Sequence, residues 1–238
     1  MKNTEKLTFG DYFERLMIFF ALIILVGVVQ LPLMVIISGK LSNLANYVVG
    51  IGYILGFVVA IWLAQYAYRK YGRPERKPLT GNNVKQIVIF WVAFIILEMV
   101  LGNLNKVVYH VTQTDNNQEI QTILSSNHLS LILMGFTAIF CSPILEETIF
   151  RGFLVDAFFS STSKWAPIIV SGAVFSMMHM DPNWAHFNVI SFLTYAILGG
   201  MLAYLYVTTR NLKVSIGLHF LNNLVAVGAM IFSIFSIQ

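Results

Sequence analysis

A chain of 238 residues that is 57% hydrophobic and only 11% charged, with a mean hydropathy of +0.74, is too apolar for a soluble globular domain, in which about a quarter of residues carry charge. Its net charge of +4 is not gathered into a basic patch interleaved with a pattern that reads RNA or DNA, which argues against a nucleic-acid partner. The single cysteine, Cys141, excludes an intrachain disulfide and reads as a small buried hydrophobe.

A helix needs roughly 17–25 apolar residues to cross a bilayer. Runs of this kind occupy 17–37, 44–66, 86–102, 129–150, 165–180, 189–207 and 214–237, the fifth being short. The expected fold is an all-α, polytopic transmembrane helix bundle of about seven spans, with six and eight as the neighbouring counts. The first run exceeds the roughly 7–15 apolar residues of a signal peptide and no A-x-A-like site follows it. It reads as a retained span, kinked at Gln30 and Pro32.

Lysine and arginine placement orients the bundle. The segment holding Arg69, Lys70, Arg73, Arg76, Lys77 and Lys85 against Glu75 alone should be cytoplasmic. Alternation then puts Lys2, Lys6, Arg15, Lys164, Arg210 and Lys213 on the same side, and leaves only Lys40 and Lys106 outside, with the polar stretch "NKVVYHVTQTDNNQEIQ". A multi-pass protein of the plasma membrane with a cytoplasmic N-terminus follows, and a bacterial membrane suits the composition. No soluble domain, repeat or low-complexity tail separates, so 1–238 reads as one membrane-embedded domain.

Ionisable side chains inside spans are costly and usually face a protein interior or a wet cavity. The fourth run ends in Glu146, Glu147 and Arg151, the fifth holds Phe175 and His179, and the seventh begins with His219, Asn222 and Asn223. Residues four apart share a helix face, whereas sequence neighbours diverge by about 100°. Glu147 can therefore pair with Arg151, His219 aligns with Asn223, and Phe175 lies one turn before His179, while Glu146 must point elsewhere. Each feature alone has a structural explanation: an ion pair anchoring a helix end, a histidine bonding a neighbouring helix, an asparagine packing or capping. Glu98, near the outer end of its run, reads as a snorkelling or helix-bonding residue. Together, an acid, two imidazoles and a carboxamide on three spans make the inventory of a hydrolytic site.

These residues also resemble a known pattern. "EETIFR" (Glu146 to Arg151), "FSMMH" (Phe175 to His179) and "HFLNN" (His219 to Asn223) resemble, in order, the E-E-x-x-x-R, F-x-x-x-H and H-x-x-x-N motifs of the CPBP intramembrane proteases, also called the Abi or CAAX-protease family and including Rce1-like endopeptidases. The resemblance covers about residues 129–230, which would be the catalytic core. It implies an endopeptidase that hydrolyses a membrane-associated substrate, either prenylated or a small secreted precursor. Glu146 would activate a water that His179 helps to hold. His219 and Asn223 would stabilise the oxyanion, Arg151 would orient the glutamates, and Glu147 would be structural or assist Glu146. Phe175 supports this set. His186 is a further histidine, assigned a structural role at the outer interface.

Peptide hydrolysis needs a nucleophilic water and donors aimed at developing negative charge, which this inventory supplies. No cofactor is required by it, but Glu146, His179 and His219 are also a candidate zinc set with one position open for water. The zincin signature H-E-x-x-H does not occur, and members of the family have been described both as metalloproteases and as metal-independent glutamate proteases. The expected partners are membrane lipid and a peptide or protein substrate within the membrane. The competing reading is a non-enzymatic immunity or scaffold protein that binds a peptide in the same cavity.

Overall fold

A computed structural model describes residues 7–181 and 187–236, and His186 lies outside the described residues. Eight helices and no strand occur among them: α1 (Phe9–Ile37), α2 (Asn43–Tyr71), α3 (Gly81–Tyr109), α4 (Asp115–Ser126), α5 (His128–Phe158), α6 (Trp165–Met177), α7 (Val189–Thr209) and α8 (Leu212–Ser236). Six of these, all but α4 and α6, are long and apolar enough to cross a membrane.

The fifth expected span is the short one. α6 has 13 residues, or about 20 Å of helix, against a hydrocarbon core of about 30 Å. The polar stretch expected outside also acquires structure, since α4 begins in it, capped by Thr114. α1 breaks at the expected place. It is helical over Phe9–Val28 and again over Leu31–Ile37. Pro32 offers no N–H to the Val28 carbonyl, and Gln30 accepts a 3.1 Å hydrogen bond from Tyr53 on α2.

Polar caps define the helix ends. Thr8 with Asp11 and Thr80 with Asn83 form capping boxes at α1 and α3, while Asn127 and Asn188 cap α5 and α7. α5 is the central element, packed against α1, α2, α6, α7 and α8. The most extensive helix pairing is that of α6 with α7, and glycine is the reason. A Cβ on Gly172 would lie 2.6 Å from the Ala196 carbonyl, and one on Gly199 would lie 3.0 Å from the Gly172 Cα. Small residues let the two backbones touch where a larger side chain would wedge them apart.

One end of the bundle is charged and tightly bonded. Asp156, at the end of α5, accepts from the Arg73 main chain at 2.9 Å, from Tyr206 Oη at 2.7 Å and from Arg210 Nη1 at 2.8 Å. Arg210 ends α7 in the left-handed region at φ 51°. Burial opposes its charge, but the hydrogen bonds to Asp156 outweigh that and hold the guanidinium above its ordinary pKa. Arg15 joins the same end by donating to the Ala157 carbonyl.

Asp156→Ala should therefore unlock this end. It removes an acceptor shared by α5, α7 and the loop after α2, so a loss of about 3 kcal/mol is expected, read as a lower Tm in detergent. Glu75→Ala, which breaks more exposed pairs with Lys77 and Arg210, should change Tm little.

Candidate active site

The site is built on α5, which is not a uniform α-helix. Thr137–Cys141 and Thr148–Val155 are π-helical, a local widening that often accompanies functional sites. Pro143 accounts for the first of these. The Ser142 N–H reaches back to Thr137 O, and Pro143 has no N–H to give, so the Ala138 carbonyl lacks a main-chain donor. Asn223 on α8 supplies one, donating from Nδ2 at 2.9 Å. Cys141 is half-buried within this turn rather than deep in the core.

The two glutamates part company, as their 100° separation requires. Glu147 and Arg151 are both fully buried and bond at 2.7 Å, one turn apart on α5. Arg151 Nη2 donates to the Gly199 carbonyl of α7 at 2.9 Å, and its guanidinium carbon stands 4.6 Å from the centre of the Phe175 ring. Glu147 Oε1 also accepts from His219 Nδ1 at 2.9 Å. Arg151 thus orients Glu147, and Glu147 orients His219.

Glu146 faces a cavity of about 440 Å³ whose lining includes Phe175, His179, His219, Asn222 and Asn223. Its Oε2 is buried without a hydrogen-bond partner and stands 3.9 Å from both His179 Nε2 and His219 Nε2. His179 Nδ1 lies 2.8 Å from the Phe175 carbonyl, which only accepts, so Nδ1 carries the proton and Nε2 turns its lone pair toward Glu146. The Glu147 carboxylate imposes the same tautomer on neutral His219.

His179 lies just past the end of α6, in a turn where its N–H donates to the Ser176 carbonyl at 2.9 Å. All the expected residues surround one cavity or buttress it. Phe175 is the spacer, with its ring 4.3 Å from that of His179 and 5.8 Å from that of His219.

A zinc ion is not matched by this arrangement. Tetrahedral bonds of about 2.0–2.2 Å put neighbouring donors about 3.4 Å apart, and Glu146 Oε2 is 3.9 Å from each imidazole nitrogen. Among the described residues no group of three or more His, Cys, Asp or Glu side chains is spaced to hold a metal.

Tyr195 escaped sequence reasoning, and Gln30, Glu98 and Asn222 were noted there without a place in the site. Tyr195 stacks on His179 with ring centres 4.7 Å apart, and its hydroxyl bonds Thr114 at 2.8 Å, which ties α4 to the site. Gln30 and Glu98 line the same cavity, and Glu98 faces inward rather than snorkelling. Asn222 is 9% exposed, and its Oδ1 has no partner. The only sequence signals were polarity inside an apolar run for Gln30, Glu98 and Asn222, and none for Tyr195.

Residues 128–225 match the Rce1-like family, described as type II CAAX prenyl endopeptidase Rce1-like. The resemblance carried by the three motifs is borne out over that segment, which contains all of them. The chain is 22% identical over 174 residues to the Bacillus subtilis (strain 168) protein named "Putative membrane peptidase YdiL", covering 73% of this chain and 67% of that one. It is 24% identical over 174 residues to "Uncharacterized protein YyaK" of the same organism, covering 70% and 55%. The alignments thus span about two thirds and just over half of those relatives' lengths. No solved structure matches the chain.

The two glutamates should separate by stability. Glu147→Gln leaves the buried Arg151 charge without its counterion and should cost about 3–5 kcal/mol, visible as a large fall in Tm. Glu146→Gln, which breaks no hydrogen bond, should leave Tm within a few degrees of the parent protein.

Proposed function

With residues 128–225 matching the Rce1-like family, we propose that this multi-pass membrane protein is an intramembrane endopeptidase of the glutamate type. Its substrate is a membrane-associated peptide or protein, either prenylated or cut from a small secreted precursor. The observation that carries the reading is the convergence of Glu146 Oε2 with the Nε2 atoms of His179 and His219, each 3.9 Å away. That separation is too long for a direct hydrogen bond and suits a bridging water.

In this mechanism Glu146 takes a proton from the water as its oxygen bonds to the substrate carbonyl carbon. The resulting oxyanion meets donors from one wall of the cavity. His219 acts here in its imidazolium form rather than the neutral one, its second proton on Nε2 donated to the oxyanion and its charge balanced through Nδ1 by Glu147, in the way a triad carboxylate supports an imidazolium. One Asn223 amide hydrogen is committed to Ala138, and the other is free to donate. Collapse of the tetrahedral intermediate breaks the C–N bond as Glu146 returns its proton to the departing amine. His179 holds the water, fixed from behind by Phe175 and Tyr195. Each of these steps is carried by the chain's own side chains.

The protein's partners are then lipid and the membrane-held substrate, with no role for nucleic acid. The basic end around Arg73, Lys77 and Arg210 would face the cytoplasm, and the N-terminus with it, in a bacterial plasma membrane.

Purified protein in nanodiscs should cleave a subset of a hydrophobic peptide library followed by mass spectrometry. Glu146→Gln should lower kcat by about 10²–10⁴-fold while remaining folded, and cleavage should survive a zinc chelator. Peptide binding that persists with no cleavage by the parent protein would point to a scaffold or immunity role, and abolition by chelator would restore the metal.

A further inference from the structure

The cavity that holds Glu146 also holds a group that the hydrolytic mechanism leaves unused. Glu98, from the middle of α3, lines it, and its carboxylate makes no hydrogen bond or ion pair with another described residue. An acid in a membrane span normally finds a partner or a wet cavity. Asn222, which lines the same cavity, carries an acceptor oxygen with no donor, on a side chain whose residue is only 9% exposed. Gln30, which also lines the cavity, accepts from Tyr53 Oη at 3.1 Å. Acceptors thus recur around the lining.

The surroundings extend the pattern. Glu119 lines both this cavity and an adjoining, more open recess of about 600 Å³, where Asp115 and Asp181 join it. No lysine or arginine lines either space among the described residues. In a chain of net charge +4 this is a local reversal of sign, and the basic side chains gather instead at the Asp156 end. An electrostatic field of one sign inside low-dielectric walls concentrates ligands of the other.

We infer that the cavity selects substrates carrying a cationic N–H group beside the scissile bond, with Glu98 and the unpartnered Asn222 oxygen as its acceptors. The shared chemistry is an ammonium or guanidinium, supplied by a lysine or arginine side chain or by a free α-amino group. The inference deepens the peptidase reading and rests on it only for the word substrate. Glu98 is a specificity residue and does not touch the reacting atoms.

The test uses the full chain in nanodiscs, in the Glu146→Gln background so that binding is read without turnover. The probes are fluorescein-labelled hydrophobic decapeptides that differ at one position, lysine or norleucine, each with a free or acetylated N-terminus. Cationic peptides should bind about tenfold more tightly than the acetylated norleucine peptide. Adding Glu98→Gln should bring the ratio close to one, whereas Glu98→Asp should retain a preference and so exclude a folding defect. The lysine and free-amine arms show which cation is used. Equal binding of charged and neutral peptides, a preference untouched by Glu98→Gln, or no binding of any probe would overturn the inference. Cleavage by the parent protein separates the two readings. Cleavage without charge preference overturns selectivity and leaves the peptidase standing. Charge-dependent binding with no cleavage of any peptide does the reverse.

Discussion

A guanidinium with no exposure to solvent must have its charge met by neighbours, and the arrangement of this bundle follows from how Arg151 is met. Glu147 one turn away supplies the counter-charge, the Gly199 carbonyl takes a second N–H, and the Phe175 ring lies against the guanidinium. These contacts belong to α5, α7 and α6. His219 on α8 joins through the same Glu147 oxygen. In a medium of low dielectric such a network is strong when satisfied and expensive when broken, so it fixes the rotation of four helices about one point. Glu146 acquires its direction into the cavity as a consequence, since its neighbour is already committed.

That point can form only because the backbones approach so closely. Gly172 and Gly199 remove the side chains that would separate α6 from α7, which lets Phe175 reach Arg151 and lets His179 stack on Tyr195. The turn that ends α6 then sets His179 Nε2 3.9 Å from Glu146 Oε2. α4 contributes from outside the spans, through Thr114 and the Tyr195 hydroxyl. The stacking partner of a site histidine is thereby anchored to a surface helix.

Charge is divided along the bundle in a way that total composition conceals. At one end Asp156 consolidates Arg73, Arg210 and Tyr206 into a compact, bonded layer. Inside the cavity, acceptors collect and no lysine or arginine intrudes among the described residues. Bonded cations lock structure in the first region, whereas unpartnered oxygens in the second are available to a ligand. The difference between them is hydrogen-bond satisfaction.

The sequence by itself determined what depends on local spacing and transfer free energy. Apolar run length marked the spans, Pro32 and Gln30 marked the break in α1, and the four-residue spacing of Glu147 and Arg151 announced their ion pair. The three motifs marked the residues that line or buttress the cavity. What sequence could not supply was anything set by the rotation of one helix against another. α6 proved to be 13 residues long, and Glu98 turned inward rather than toward the interface. Tyr195 carried no polar signal of its own, and Asn223 spends one hydrogen on the carbonyl of Ala138, 85 residues away, which Pro143 leaves without a main-chain donor. Periodicity says which residues share a face. Only packing decides what that face meets, because the bond that satisfies a buried polar atom is made by whichever helix the core brings opposite.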